Sequence, residues 1–185
     1  MEIIPLRLTG SHCIKLAPIR DERGYFVRTL DTQIFKEHGL QTQWVQENQS
    51  STTKKHTIRG FHFQLPSHSE TKLVRVVQGA VLDVFIDLRM DSPTYGQWDS
   101  LELSTDNFLA VYVPRGFAHA FCSLTDSAVV TYKVDSHYAP ASESSIRWDD
   151  PTVGVEWPTP HPHLSDKDKN APSFVEFKSP FTISQ

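Results

Sequence analysis

No apolar run in this chain approaches the length needed to span a bilayer, and no segment gathers Lys and Arg into a patch able to neutralise many phosphates. The first absence argues against a membrane helix, and the second makes nucleic acid a poor partner. The opening MEIIPLRLTG lacks a basic flank followed by a sustained apolar stretch, so it does not read as a signal peptide, and a cytoplasmic protein is expected. Cysteine is scarce: only Cys13 and Cys122 are present, without metal-type spacing, and in a reducing compartment such a pair reads as two buried thiols with no function of their own. There is no low-complexity run and no internal repeat, which leaves neither disorder nor a solenoid to explain. What remains is ordinary globular composition. The net charge of −4 comes from 18 basic and 22 acidic residues, and 185 residues suffice for one well-buried core but are short for two, so a single domain over 1–185 is expected.

Long helical periodicity is also missing. One short segment, Asp31 to Gly39, offers an acidic N-cap, an amphipathic turn or two and a glycine stop. Nearly everything else reads as strand and turn. LVRVVQGAVLDVFIDL, residues 73–88, divides at Gln78-Gly79 into two β-branched runs, predicting a hairpin or tight strand connection. In the second run Val81, Asp83, Phe85 and Asp87 share one face, so Asp83 either meets solvent or points into a polar cavity inside a barrel. Further strands are expected at Leu109–Val113 and Ala128–Val134, and short strands at such spacing argue for an antiparallel sandwich or barrel. From Pro140 onward the chain holds seven of its twelve prolines and little periodicity, predicting a wrapped tail of ordered loops with one short helix, in which Trp148, Trp157 and Phe174 need something to bury against.

The histidines carry the first chemical signal. PRGFAH at 114–119 fits P-x-G-x-x-H, which resembles the second motif of the cupin superfamily of small jelly-roll barrels, and the segment from Gly60 through Glu70 to Gly79 resembles the first. Metal-binding cupins carry H-x-H there; this chain has His62 followed by Gln64. A neutral amide is a weak transition-metal ligand, which leaves His62, Glu70 and His119 as an incomplete ion site and favours His62 as a base instead. A histidine titrates near neutral pH, and a neighbouring carboxylate would orient it.

A longer set of motifs is more specific. DERGYF at 21–26, QEN at 46–48, IRGFHFQ at 58–64, KLVR at 72–75, Asp83, SPTYG at 92–96, PRGFAH at 114–119, Tyr132-Lys133, Tyr138, WDDP at 148–151 and LSDKD at 164–168 occur in this order. Together they resemble the dTDP-4-dehydrorhamnose 3,5-epimerase family, over roughly residues 20–170. The resemblance implies a mainly β, metal-free cupin barrel with a few short peripheral helices, homodimeric, requiring no cofactor and acting on a nucleotide-linked 4-keto-6-deoxyhexose at C3, C5 or both. It implies His62 as proton acceptor, Asp168 as the carboxylate orienting it, Tyr132 as proton donor on the other face, and Lys72 near the C4 oxygen with Asp83 as its partner. For the nucleotide it assigns Arg23, Arg59, His119 and Lys167 to diphosphate or sugar contacts, Gln46 and Asn48 to the base or deoxyribose, and Tyr138 to stacking on the pyrimidine.

One position departs from the pattern. Where the family commonly has Glu two residues after the Phe of D-E-R-G-x-F, this chain has Arg28, a charge reversal that could alter the carrier recognised, dTDP or CDP. Alternatives at this level are a mono-epimerase, a 3,4-ketoisomerase on a similar sugar, a metal-dependent cupin oxygenase, and a nucleotide-sugar binding module without chemistry.

Overall fold

The computed structural model describes residues 1–183; Ser184 and Gln185, the end of the expected 1–185 domain, lie outside the described residues. Strands follow one another as β1 (Glu2–Pro5), β2 (His12–Lys15), β3 (Ile19–Asp21) and β4 (Gly24–Phe26), then helix α1 (Thr32–Glu37), then β5 (Gln46–Thr52) through β6 (Ile58–Gln64), β7 (Lys72–Gln78), β8 (Ala80–Asp87), β9 (Trp98–Ser104), β10 (Leu109–Val113), β11 (Phe117–Ser123) and β12 (Ala128–Val134). The tail adds β13 (Glu143–Ser145), helix α2 (Asp166–Lys169) and 3-10 turns at Pro140–Ser142 and Phe174–Glu176. A six-stranded sheet runs β1-β2-β10-β7-β12-β5 and a five-stranded sheet runs β13-β6-β11-β8-β9, every pairing antiparallel, with β3 and β4 as a separate two-stranded ribbon.

Side-chain alternation sorts these strands into layers. Val74 and Val76 of β7, Val111 and Val113 of β10 and Val130 of β12 meet Val81 and Phe85 of β8 and Phe117 and Phe121 of β11 in one buried cluster between the sheets. The opposite faces are covered separately. Phe61 and Phe63 of β6, Val84 and Ile86 of β8 and Ala118 and Ala120 of β11 pack under Ile146, Val153, Phe174 and Phe181 of the tail, while Ile14, Leu73 and Ala110 pack under Phe35 and Leu40 around α1. This is the mainly β jelly-roll architecture expected from the cupin-like motifs. Because Phe61 and Phe63 face the tail, the period of two turns His62 and Gln64 inward. Tyr132 follows the same logic, since its neighbours Val130 and Val134 are buried in the interior.

The expected helix forms with Asp31 as N-cap, its carboxylate accepting from the backbone N–H groups of Gln33 and Ile34, and the strands at Leu109–Val113 and Ala128–Val134 have the expected ends. Of the hairpin or tight strand connection expected across Gln78-Gly79, the structure forms the tight connection. β7 and β8 belong to different sheets, and Gly79, at φ +72°, carries the chain from one to the other where a Cβ would come within 2.1 Å of the Ser127 carbonyl oxygen. Asp83 faces the interior and is fully buried. The tail is ordered as expected, but it also contributes a strand, β13, which pairs with β6 in register with His62 through Ser145. Among the described residues no helix is long and apolar enough to cross a membrane.

Candidate active site

Between the sheets, the end of the barrel facing the tail opens into a cavity of about 630 Å³. Strands β5, β6, β7, β11 and β12 line it with Gln46, Asn48, His62, Lys72, His119 and Tyr132, and the tail closes one side with Tyr138, Glu143, Ser165 and Asp168. A glycine makes this crowding possible. A Cβ on Gly60 would lie 2.5 Å from the His119 carbonyl oxygen and 2.7 Å from the Ala120 Cβ, so β6 and β11 can lie this close only with glycine there. His62 and His119 are cross-strand partners at that approach, next to a register irregularity in β11.

His62 and Asp168, 106 positions apart, meet at 2.6 Å between Nε2 and Oδ1. The sequence accounts for the carboxylate's placement. Ser165 caps α2, its Oγ accepting from the Asp168 N–H at 3.1 Å and donating to Oδ2 at 2.8 Å, an S-x-x-D cap that holds one carboxylate oxygen and leaves the other for the imidazole. Burial alone would raise the Asp168 pKa, but hydrogen bonds from His62 and Ser165, with the charges of His62 and Lys167, outweigh it and hold the carboxyl below its ordinary value. Asp168 therefore stays ionised beside an imidazole that is one-third exposed to the cavity.

Lys72 has a different partner from the one expected. Its Nζ lies 3.2 Å from Glu70 Oε1 with both side chains nearly buried, while the Asp83 carboxylate is bound by His119 Nε2 at 2.8 Å. The reason is strand register: His119 on β11 sits across from Phe85 and near Asp83 on β8, whereas Lys72 begins β7 in the opposite sheet, beside Glu70. Asp83 thus supports His119. Its Oδ1 is buried without a hydrogen-bond partner among the described residues. His62, Glu70 and His119 are each engaged separately, and among the described residues no three His, Cys, Asp or Glu side chains are grouped to hold a metal ion.

Tyr132 projects from β12, in the sheet opposite His62, so the two groups approach the cavity from opposite walls. Its ring centroid is 5.8 Å from Lys72 Nζ. Burial, and then the negative charge of Glu70, push the phenol's pKa up, with Arg59 pulling it down and Glu143 raising it again. The phenol is therefore protonated at neutral pH.

Of the remaining residues, Gln46, Asn48, Arg59 and Tyr138 line the cavity. Gln46 Oε1 accepts from the Tyr138 N–H at 2.6 Å, which fixes the loop presenting the half-exposed Tyr138 ring, and Arg59 is held by Thr52 Oγ1 and the Ser51 carbonyl. Lys167 does not line the cavity, but its Nζ lies 2.6 Å from Glu143, which does. Two further residues lie away from it. Arg23 is exposed at the tip of the β3–β4 ribbon, bonded to Asp21, and Arg28 is exposed and paired with Asp31 at 3.1 Å. Glu143 and Ser165 were not anticipated; the S-x-x-D spacing was a legible signal for Ser165, while nothing local marked Glu143.

A family model described as dTDP-4-dehydrorhamnose 3,5-epimerase matches residues 5–176. A dTDP-4-dehydrorhamnose 3,5-epimerase of Shigella flexneri is 43% identical over 157 residues, covering 84% of this chain and 86% of the relative. Among solved structures, the dTDP-4-dehydrorhamnose 3,5-epimerase of Elizabethkingia anophelis aligns with a TM-score of 0.91 at 39% identity, covering 95% of this chain and 97% of its own. A dTDP-6-deoxy-D-glucose-3,5-epimerase of Legionella pneumophila, solved with dTDP-4-keto-L-rhamnose, aligns with a TM-score of 0.91 at 35% identity, covering 96% and 94%.

Proposed function

The chain belongs to the dTDP-4-dehydrorhamnose 3,5-epimerase family, and from that premise we propose that it inverts C3 and C5 of a dTDP-linked 4-keto-6-deoxyhexose, converting dTDP-4-dehydro-6-deoxy-D-glucose to dTDP-4-dehydro-L-rhamnose. The observation that carries this reading is the pairing of a carboxylate-bound imidazole on one wall of the cavity with a protonated phenol on the other.

The chemistry needs those two walls. A hydrogen at C3 or C5 is acidified by the flanking C4 ketone, because the anion left behind delocalises onto oxygen. Asp168 accepts the Nε2–H of His62, which leaves the Nδ1 lone pair to remove that hydrogen, and the carboxylate stabilises the imidazolium that forms. The Lys72 ammonium offsets the negative charge growing on O4. Tyr132 then returns a proton to the opposite face of the carbon, which inverts the centre. Protons leave and return with no net change in oxidation state, so the reaction requires no redox cofactor.

The nucleotide occupies the other part of the cavity: Arg59, His119 and Lys167 meet the diphosphate, Gln46 and Asn48 the deoxyribose or base, and Tyr138 stacks on the pyrimidine. We further propose a homodimer formed through the β3–β4 ribbon, whose Ile19, Tyr25 and Phe26 are more than half exposed; a second copy covering them would let Arg23 reach a diphosphate that it cannot reach within its own chain.

Proton NMR of dTDP-4-keto-6-deoxyglucose incubated with the protein in heavy water tests the activity. Loss of both the C3 and C5 proton signals is expected. Loss at one carbon would make the protein a mono-epimerase, and retention of both would overturn the reading.

A further inference from the structure

We propose that Glu70 is a positioning residue for the epimerisation, fixing the Lys72 ammonium against the ketone end of the cavity and placing a carboxylate near the Tyr132 phenol. The inference rests on the reaction proposed above and adds to it a residue whose part is played through its neighbours.

Glu70 and Lys72 are two residues apart, hence on one side of an extended backbone, and the intervening Thr71 N–H is pinned to Asp135 Oδ1 at 2.7 Å. Both carboxylate oxygens are committed: Oε1 lies 3.2 Å from Lys72 Nζ, and Oε2 accepts from Gln64 Nε2 at 3.1 Å. Gln64 is itself buried, and its Oε1 accepts from the Ala139 N–H at 2.7 Å, so the carboxylate is anchored to β6 and to the loop that carries Tyr138. The pair is 10% and 12% exposed for Lys72 and Glu70, respectively. A lysine side chain has four rotatable bonds, and a buried ammonium with no partner would be driven to reorient. The carboxylate prevents this, at the cost of cancelling part of the charge offered to the oxyanion. That trade favours geometry over raw attraction, the condition under which a preorganised group lowers a barrier.

The charged groups facing Tyr132 are Glu70 and Lys72 from β7 and the segment before it, Arg59 from β6 and Glu143 from β13. Glu70 is the carboxylate with the larger influence on the phenol, so removing its charge makes the phenolate easier to form.

Glu70→Gln is nearly isosteric and removes the charge; Glu70→Asp keeps the charge on a shorter reach. Each is compared with the unsubstituted protein by solvent-deuterium wash-in across pH, and by phenolate absorbance titration read as the difference from the matching Tyr132→Phe background. Glu70→Gln is expected to lower kcat by about 10- to 100-fold with KM changed less than about threefold, and to move both the alkaline limb and the Tyr132 titration to lower pH. Glu70→Asp is expected to restore the titration while recovering kcat only in part. An unchanged Tyr132 titration in Glu70→Gln would overturn the proposal, as would a loss of rate that only tracks a lowered thermal midpoint. Absence of wash-in by the unsubstituted protein would instead sink the proposed function, and the titration, which needs no turnover, would still decide Glu70's influence on Tyr132.

Discussion

His62 and His119 are neighbours across β6 and β11, yet each is oriented by a carboxylate from a distant part of the sequence, Asp168 for one and Asp83 for the other. If His62 is the base and Tyr132 the acid, their removal leaves different residues of the reaction. His62→Ala should abolish wash-in of solvent deuterium at both carbons. Tyr132→Phe should still show wash-in, because the base can return deuterium to the face it came from, while inversion slows by about 10²- to 10⁴-fold; NMR of the recovered sugar separates exchange from inversion. Asp168→Asn leaves a neutral group beside Nε2 and frees the imidazole to take the wrong tautomer, so kcat should fall at least about 100-fold while dTDP affinity, measured by calorimetry, is retained. The residue types at these positions were readable from the sequence through the motif resemblance. The resemblance also gave Asp168 to His62, but it gave Asp83 to Lys72 where the structure gives it to His119, because Lys72 and Asp83 sit on facing sheets and no local spacing shows which of two inward basic side chains a buried aspartate will meet.

Elements were legible where the pattern was local. The N-cap of α1, both ends of β10 and both ends of β12 follow from side-chain chemistry within a few residues. The break at Gly79 is legible as a hairpin or a tight connection but not as which of the two, because a glycine turn between two apolar runs looks the same whether the strands pair or part to different sheets. β13 escaped notice because three residues, ESS, carry no periodicity and gain their strand form from β6. Gly60 supplies a test at this scale. At φ +116° with no room for a Cβ, Gly60→Ala should destabilise the protein by roughly 1–3 kcal/mol in urea unfolding and reduce kcat further than stability explains, since the clash falls on the backbone of His119. Ser165→Ala removes the α2 cap and one of the two bonds to Asp168; a loss of about 1 kcal/mol is expected, together with a slower exchange reaction.

For the molecule as a whole, two buried carboxylates set the acid limit. Asp87 is opposed by burial but held below its ordinary pKa by Arg89, Ser92 and Thr94, and Asp168 is held down by His62 and Ser165. A carboxylate with a lowered folded pKa contributes stability that is complete above its unfolded value, about 3.9, and is lost as pH falls through the folded one. Unfolding midpoints in urea should therefore be level from about pH 7 to pH 5 and drop steeply below about pH 4, with Asp87→Asn flattening part of that drop. The ribbon makes a separate claim on the assembly: light scattering should give twice the 21.0 kDa chain mass, and Phe26→Glu, placing charge on the exposed face, should return the monomer.

The position of Asp168 in the tail, after every strand of both sheets, also bears on synthesis. Every strand of the six-stranded sheet has left the ribosome once Val134 has, and of the five-stranded sheet only β13 is still to come. A nascent protein at that stage already holds His62, Lys72 and Tyr132, but its imidazole has no carboxylate. If Asp168 orients the base, its carboxylate arrives last, with the tail, and a chain cut before α2 is a barrel whose His62 lacks that partner.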